Sequence, residues 1–182
     1  MELERLAAAG RALNRERRID RDAIFGLKMR ALERLWVRFG VDPNGADAWA
    51  WQNVLATGVT VGAPPDEYKT RGQDWGLPSF IPHKLRAAAY EPFRQTMRAT
   101  LRHAGGLRID HVMGLFRLYW IPQGADPSMG AYVRYPADEL LAIVALESQR
   151  ARALVVGEGL GTVEEGVQER LAAHRLLSYR LL

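Results

Sequence analysis

The pattern of apolar and polar positions divides the chain into helical stretches, one irregular stretch and several short apolar strands. Residues 2–18 are rich in Ala, Arg and Glu and suit a helix. From about 20 to 39, Ile24, Leu27, Ala31, Leu35 and Phe39 recur at near-helical spacing, with Asp20 as a candidate N-cap and Gly40 just beyond the end. Residues 41–82 lose that periodicity and carry Gly62, Pro64, Pro65, Gly72, Gly76, Pro78 and Pro82, which predicts a long structured loop. Pro92 opens a helix that places Phe93, Met97, Leu101 and Ala104 on one face, and Gly105-Gly106 stops it. An apolar strand at 107–112 follows, then a second short apolar and aromatic run at 116–121. Pro136 opens a helix reaching about Arg150, with Leu140, Leu141, Val144 and Ala145 inward. A strand at 153–157 precedes a helix that starts near Thr162, where Glu165 three residues on completes a capping box.

Strand, helix, strand, helix from 107 to 173 is a βαβα pattern, which implies the α/β class with parallel strands and a right-handed crossover. The strands are apolar throughout, as expected of parallel strands covered on both faces. Two or three strands fall short of a closed α/β barrel, which takes about 250 residues. The sequence ends at Leu181-Leu182 in an apolar run with no cap, so the expectation is a central segment of a larger barrel.

Composition narrows the classes further. At 182 residues, 48% hydrophobic and 25% charged, the chain has the make-up of a folded domain. It contains no cysteine, which removes disulfides and thiolate metal sites and fits a cytoplasmic setting. Residues 1–20 lack the apolar core of a signal peptide and no run approaches a membrane span. The net charge of +4 and pI near 9.7 invite a nucleic-acid reading, but the arginines are dispersed. Only Arg15, Arg17, Arg18 and Arg21 cluster, and they suit a solvated helix face. No nucleic-acid or membrane partner is expected.

The chemistry concentrates at two strand ends. Asp110, within Gly106-Leu-Arg-Ile-Asp-His111, is an acid at the end of an apolar run, a costly place for a carboxylate unless it is paired or used. Arg108 lies two residues before it, so on a strand both point to one face and the guanidinium favours the ionised acid. His111 faces the other way unless the strand has already ended. The residues alone leave open a nucleophile or a structural Asp–Arg pair. Glu158 ends the second strand and precedes Gly159-Leu160-Gly161, which suits a general acid/base shielded from water, or a Glu that braces a loop. Two acids ending neighbouring strands are what a two-carboxylate sugar-cleaving site requires. The stretch Gly62 to Gly76, with Asp66, Tyr68, Gln73 and Trp75, reads either as a carbohydrate platform or as a packed surface loop. Trp49 and Trp51 are expected in the core. His83, His103 and His174 show no paired spacing, so no metal site is proposed.

Four motifs in order, Val61-Gly-Ala-Pro-Pro-Asp66, Gly72-Gln-Asp-Trp-Gly-Leu-Pro78, Gly106–His111 running on to Gly114-Leu-Phe-Arg-Leu-Tyr-Trp-Ile-Pro122, and Val155-Val-Gly-Glu-Gly-Leu-Gly-Thr162, resemble the 4-α-glucanotransferases of glycoside hydrolase family 77 from about Ala48 to Leu182. The resemblance implies a partial (β/α)8 TIM barrel over 41–182, with a lid loop at 60–80 and a helical N-terminal segment at 1–40. It implies retaining transfer of α-1,4-glucan segments between maltooligosaccharides, with Asp110 as nucleophile and Glu158 as acid/base. Arg108 and His111 would contact the donor sugar or Asp110, and Asp66, Tyr68, Gln73 and Trp75 would bind on the acceptor side. Neither metal nor organic cofactor is implied. Three departures stand out. The family commonly has Gly-Glu-Asp-Leu-Gly where this chain has Gly157-Glu158-Gly159-Leu160-Gly161, and Lys69-Thr70-Arg71 makes the lid basic. The family's third acid falls beyond Leu182, so the isolated chain is expected to show little transfer. Its rivals are a maltooligosaccharide-binding remnant without chemistry and a hydrolase of the α-amylase clan.

Overall fold

A computed structural model of the protein describes residues 41–159 and 163–178; the helices expected over 2–18 and 20–39 lie outside the described residues. The described chain runs α1 (Ala46–Ala50), β1 (Val59–Ala63), β2 (Gln73–Leu77), α2 (Pro82–Ala87), α3 (Glu91–Leu101) and β3 (Gly106–Ile109). A 3-10 turn at Val112–Leu115 leads to β4 (Arg117–Pro122), and a second at Pro127–Met129 to β5 (Ala131–Arg134). The chain continues through α4 (Ala137–Ala151), β6 (Leu154–Gly157), α5 (Val167–Ala173) and β7 (Leu177–Ser178).

These elements form a mixed α/β fold with two sheets. β3, β6 and β7 are parallel, in that order, and β3 runs against β6 with Gly106 opposite Leu154 and Ile109 opposite Gly157. The crossover between β3 and β6 contains α4, as a parallel pair demands, but also β4 and β5. Those two strands leave the parallel sheet and join β1 and β2 in an antiparallel sheet of order β2-β1-β4-β5.

The core forms where α3 and α4 meet the parallel strands. Phe93, Met97 and Leu101 follow one another at four-residue spacing along α3, and all are buried. Leu140, Leu141 and Val144 are likewise buried on one face of α4 and cluster with Leu107 and Ile109 of β3, which are fully enclosed. Each such aliphatic side chain contributes roughly 1.5–3 kcal/mol on leaving water. One buried acid ties the two helices together. Glu147 of α4 accepts from Arg98 of α3 and from Arg150, each at 3.0 Å. Burial works against its charge, but the two arginines prevail and hold its carboxyl below the ordinary range. A second cross-tie is the Tyr135 hydroxyl, which donates to the Phe80 carbonyl at 2.7 Å and lies 3.0 Å from the Ser79 hydroxyl. Burial pushes that phenol up to about 12.

Several expectations are corrected. The stretch 41–82 is not one loop. Its Val59–Ala63 and Gln73–Leu77 segments pair as a hairpin because β4, far along the chain, supplies the ladder for β1. Trp49 is 77% exposed rather than in the core, because the single turn of α1 buries no residue at all, and Trp51 is only half-buried. The helix expected from near Thr162 begins at Val167; Thr162 lies outside the described residues, Glu165 sits in a turn, and Gly166 with φ +80° sets the helix start. The parallel strands are not covered on both faces either. β3 and β6 alternate, with Leu107, Ile109 and Val155 in the core while Arg108 is half-buried and Leu154 is 60% exposed.

Two outcomes follow from this packing. Ile109→Ala should lower unfolding stability by about 2–5 kcal/mol, read as a lower denaturant midpoint at unchanged slope. Glu147 carries a lowered folded pKa, so its contribution is present above the ordinary glutamate value of about 4.3 and is lost as pH falls through the lower folded value. The thermal midpoint should therefore drop on acidification below that range, and Glu147→Gln should flatten the drop.

Candidate active site

β3 and β6 end side by side, and the acids are the next residues on each. Because Ile109 stands opposite Gly157, Asp110 and Glu158 emerge at the same level from adjacent strands. Neighbouring strands lie about 4.8 Å apart. Three backbone links fasten the two ends together. The Glu158 N–H donates to the Ile109 carbonyl at 2.8 Å, the Val112 N–H donates to the Glu158 carbonyl at 2.7 Å, and the His111 N–H donates to Glu158 Oε2 at 2.8 Å. The last of these pins the buried carboxylate itself, which is only 7% exposed.

The local sequence permits this closeness. Asp110 and His111 form a turn directly after β3, and His111 takes the left-handed conformation with φ 51°. That turn sends Val112 back over the end of β6. A Cβ on Gly157 would lie 2.7 Å from Val112 Cγ2, so only glycine fits there. Gly159 differs. A Cβ there would meet Gln168, Val163 and Val112 at 3.8 to 3.9 Å, ordinary contact distances, so packing does not require glycine beside Glu158.

Arg108 and Asp110 share a face as their spacing predicts, with Arg108 Nη2 2.6 Å from Asp110 Oδ1. Both are partly enclosed, at 19% and 29% side-chain exposure, so the pair is screened less than a surface bridge. His111 has a different task because the strand has already ended. Its ring packs edge-on against Trp75, with centroids 5.4 Å apart and planes at 78°. Burial holds its imidazole below the ordinary value, outweighing the Glu158 and Asp110 carboxylates, and the Arg117 guanidinium acts in the same direction.

Trp75 arrives from the other sheet through a bulge. Between Val61 and Gly62 of β1 the partner on β2 jumps from Leu77 to Asp74, leaving Trp75 and Gly76 as extra residues. Gly76 takes φ +67°, and the Asp74 carboxylate accepts its N–H at 2.8 Å. A bulge of this kind re-aims a side chain, here toward His111.

The expected lid residues do not all converge. Gln73 sits on β2 opposite Ala63, at the start of the bulged strand. The Asp66 carboxylate accepts from the Tyr68 and Lys69 N–H groups at 2.8 and 2.5 Å and so braces its own turn, while Tyr68 is 84% exposed. The site thus gathers Arg108, Asp110, His111, Glu158 and Trp75, with Asp66 and Tyr68 in the turn beyond. Sequence reasoning passed over one further group. Glu164, just past Glu158, pairs with Arg117 of β4 at 3.1 Å and Arg134 of β5 at 3.6 Å, and Arg117 stacks 4.1 Å from the Tyr132 ring centre. Its only sequence signal was an acid within six residues of Glu158. Among the described residues no group of three or more His, Asp or Glu could hold a metal ion, and no helix is long and apolar enough to cross a membrane.

The His111 environment sets a measurable titration. Its imidazole should titrate below about 6.5 by NMR, and Trp75→Ala, which opens one side of the ring to water, should move the midpoint up. A midpoint above the ordinary value in the unaltered chain would contradict this geometry.

The same segments carry similarity to known proteins. The sequence profile of glycoside hydrolase family 77, described as 4-alpha-glucanotransferase, matches residues 37–182. A 4-alpha-glucanotransferase of Mycobacterium tuberculosis is 58% identical over 143 residues, which cover 79% of this chain and 20% of that protein. One of Haemophilus influenzae is 46% identical over 139 residues, 76% of this chain and 20% of that protein. The chain therefore spans about a fifth of the curated relatives it matches. Among solved structures, an amylomaltase from Corynebacterium glutamicum superposes with a TM-score of 0.77 at 34% identity, over 98% of this chain and 29% of that one. A Streptococcus agalactiae amylomaltase in complex with acarbose shares the fold, with a TM-score of 0.68 at 20% identity, over 84% of this chain and 33% of that one.

Proposed function

Since the chain belongs to glycoside hydrolase family 77, the 4-alpha-glucanotransferases, we propose that it forms the nucleophile and acid/base part of such an enzyme, moving α-1,4-glucan segments between maltooligosaccharides with retention of configuration. The observation that carries this reading is the register of β3 against β6, which sets Asp110 and Glu158 level at adjacent strand ends. Retaining enzymes hold their two carboxyl groups roughly 5–5.5 Å apart, close to the spacing of neighbouring strands.

In this reading the Asp110 carboxylate, paired with Arg108, attacks the anomeric carbon of the donor glucosyl unit. The C–O bond to the leaving chain breaks as Glu158 gives that oxygen its proton, leaving a glucosyl ester on Asp110. Glu158, now ionised, takes the proton from an acceptor sugar hydroxyl, whose oxygen attacks the same carbon and frees Asp110. Arg108 and His111 line the donor side. Trp75 stacks on the acceptor sugar, and Asp66, Tyr68 and Gln73 belong to a lid over it that favours a sugar hydroxyl over water. The wider frame is a partial (β/α)8 barrel over 41–182. No metal or organic cofactor takes part, and we place the protein in the cytoplasm on its lack of cysteine.

The test grafts residues 37–182 in place of the matching stretch of the Mycobacterium tuberculosis relative. The chimera should convert maltotriose into glucose and longer oligomers, and Asp110→Asn or Glu158→Gln should cut that rate at least a thousandfold. The isolated chain should show little or no transfer. A folded chimera that binds maltooligosaccharides without turnover would overturn the reading in favour of a binding remnant. Reducing ends rising without longer products would favour a hydrolase.

A further inference from the structure

A cavity of about 520 Å³ is lined by residues of α1, of the β1–β2 hairpin and of the segments beside them, and shares no residue with Asp110, Glu158, His111 or Trp75. We propose that it is a second binding site, for a neutral oligosaccharide.

The lining carries the inference. One charged residue in four is the average for this chain, yet none of the thirteen residues around the cavity is charged. Its lining instead includes Trp49, the amide residues Asn44, Gln52 and Gln123, and Thr57, all of them exposed, together with the buried Leu55. Trp49 is 77% exposed, so its ring is open to a ligand. A flat aromatic face beside amides that both donate and accept suits a sugar ring, with its apolar C–H face and its rim of hydroxyls. A phosphate-bearing ligand would find no cation among the lining residues, and an alkyl chain would make no use of the amides and the hydroxyl. The volume lies within the ordinary range for small-molecule sites, about 300–1,000 Å³.

The frame of the cavity is fixed in advance of any ligand. Leu55 is buried and bridges to Phe80, and backbone bonds from Ala56 to Ser79 at 2.9 Å and from Ile81 to Val54 at 2.8 Å flank that bridge. The Gln123 N–H donates to the Gly58 carbonyl at 3.0 Å and holds the end of β4 against the turn before β1. Little ordering cost therefore remains on the side formed by Leu55 and Gln123, while Trp49 is carried by the single turn of α1. The choice of α-1,4-glucan as the sugar rests on the proposed function; the neutral-sugar class rests on the cavity alone.

The experiment titrates the purified chain with maltoheptaose while following the indole N–H signals of Trp49 and Trp75 by NMR. Trp49 should shift with a single saturable curve, and Trp49→Ala should weaken that binding at least tenfold while leaving the Trp75 response in place and the circular dichroism unchanged. A Trp49 signal that stays fixed to millimolar sugar overturns the proposal. So does a Trp49→Ala chain whose oligomeric state changes while sugar binding does not, which would mark a self-association face. Movement with cellohexaose but not maltoheptaose supports the neutral-sugar site and overturns the α-glucan choice. Failure of the chimera to transfer glucan leaves this signal unaffected, so the two readings fail separately.

Discussion

Two strand ends held in one parallel register are the constraint on which everything else in this molecule depends. The pairing of Ile109 with Gly157 does more than close a ladder. It delivers Asp110 and Glu158 to the same level, and the chain then secures that arrangement by threading the turn at 110–112 across the end of β6. The Glu158 main chain bonds Ile109 and Val112, and its side chain accepts the His111 N–H. A buried carboxylate without such a donor would be strongly unfavourable. With it, the same bond that satisfies Glu158 also fixes the residue following Asp110.

The remaining architecture supplies that junction with an apolar underside and a polar upper side. Underneath, α3 and α4 bury Leu107 and Ile109, and the Glu147 pairs with Arg98 and Arg150 hold the helices in place. Above, the antiparallel sheet, of which β4 and β5 come from the crossover between β3 and β6 and β1 and β2 from before β3, brings in what the parallel pair lacks. The bulge in β2 sends Trp75 against His111, and Arg117 and Arg134 anchor Glu164 on the segment that follows Glu158. The acids are thus set by a strand pairing between residues nearly fifty positions apart, and their surroundings by contacts that reach across from the second sheet.

This division explains what could be read in the sequence. Arg108, Asp110 and Glu158 were legible because a polar residue at the end of a short apolar run has few structural uses, and the period of two along a strand put Arg108 beside Asp110. The helices at 91–101 and 137–151 were legible from apolar spacing and from prolines at their starts. What escaped were features made by distant partners. The β1–β2 hairpin depends on β4, so its five-residue strands carry too little local signal and read as loop. Trp49 was assigned to the core because tryptophan usually lies there, and nothing local shows that α1 is a single exposed turn. The Glu164 pairs with Arg117 and Arg134 span 47 and 30 positions, which no spacing rule reaches. Asp66 and Tyr68 fall between β1 and β2, where Asp66 is occupied with its own turn.

The central claim is that Asp110 accepts a glucosyl group while Glu158 serves it from the neighbouring strand. The most direct measurement is peptide mass spectrometry of the grafted enzyme carrying Glu158→Gln after exposure to α-glucosyl fluoride, whose leaving group needs no proton. The account predicts one glucosyl adduct on the peptide containing Asp110 and none once Asp110 is also changed to Asn. An adduct on a different acid, or none when the unaltered relative treated in the same way forms one, would contradict it.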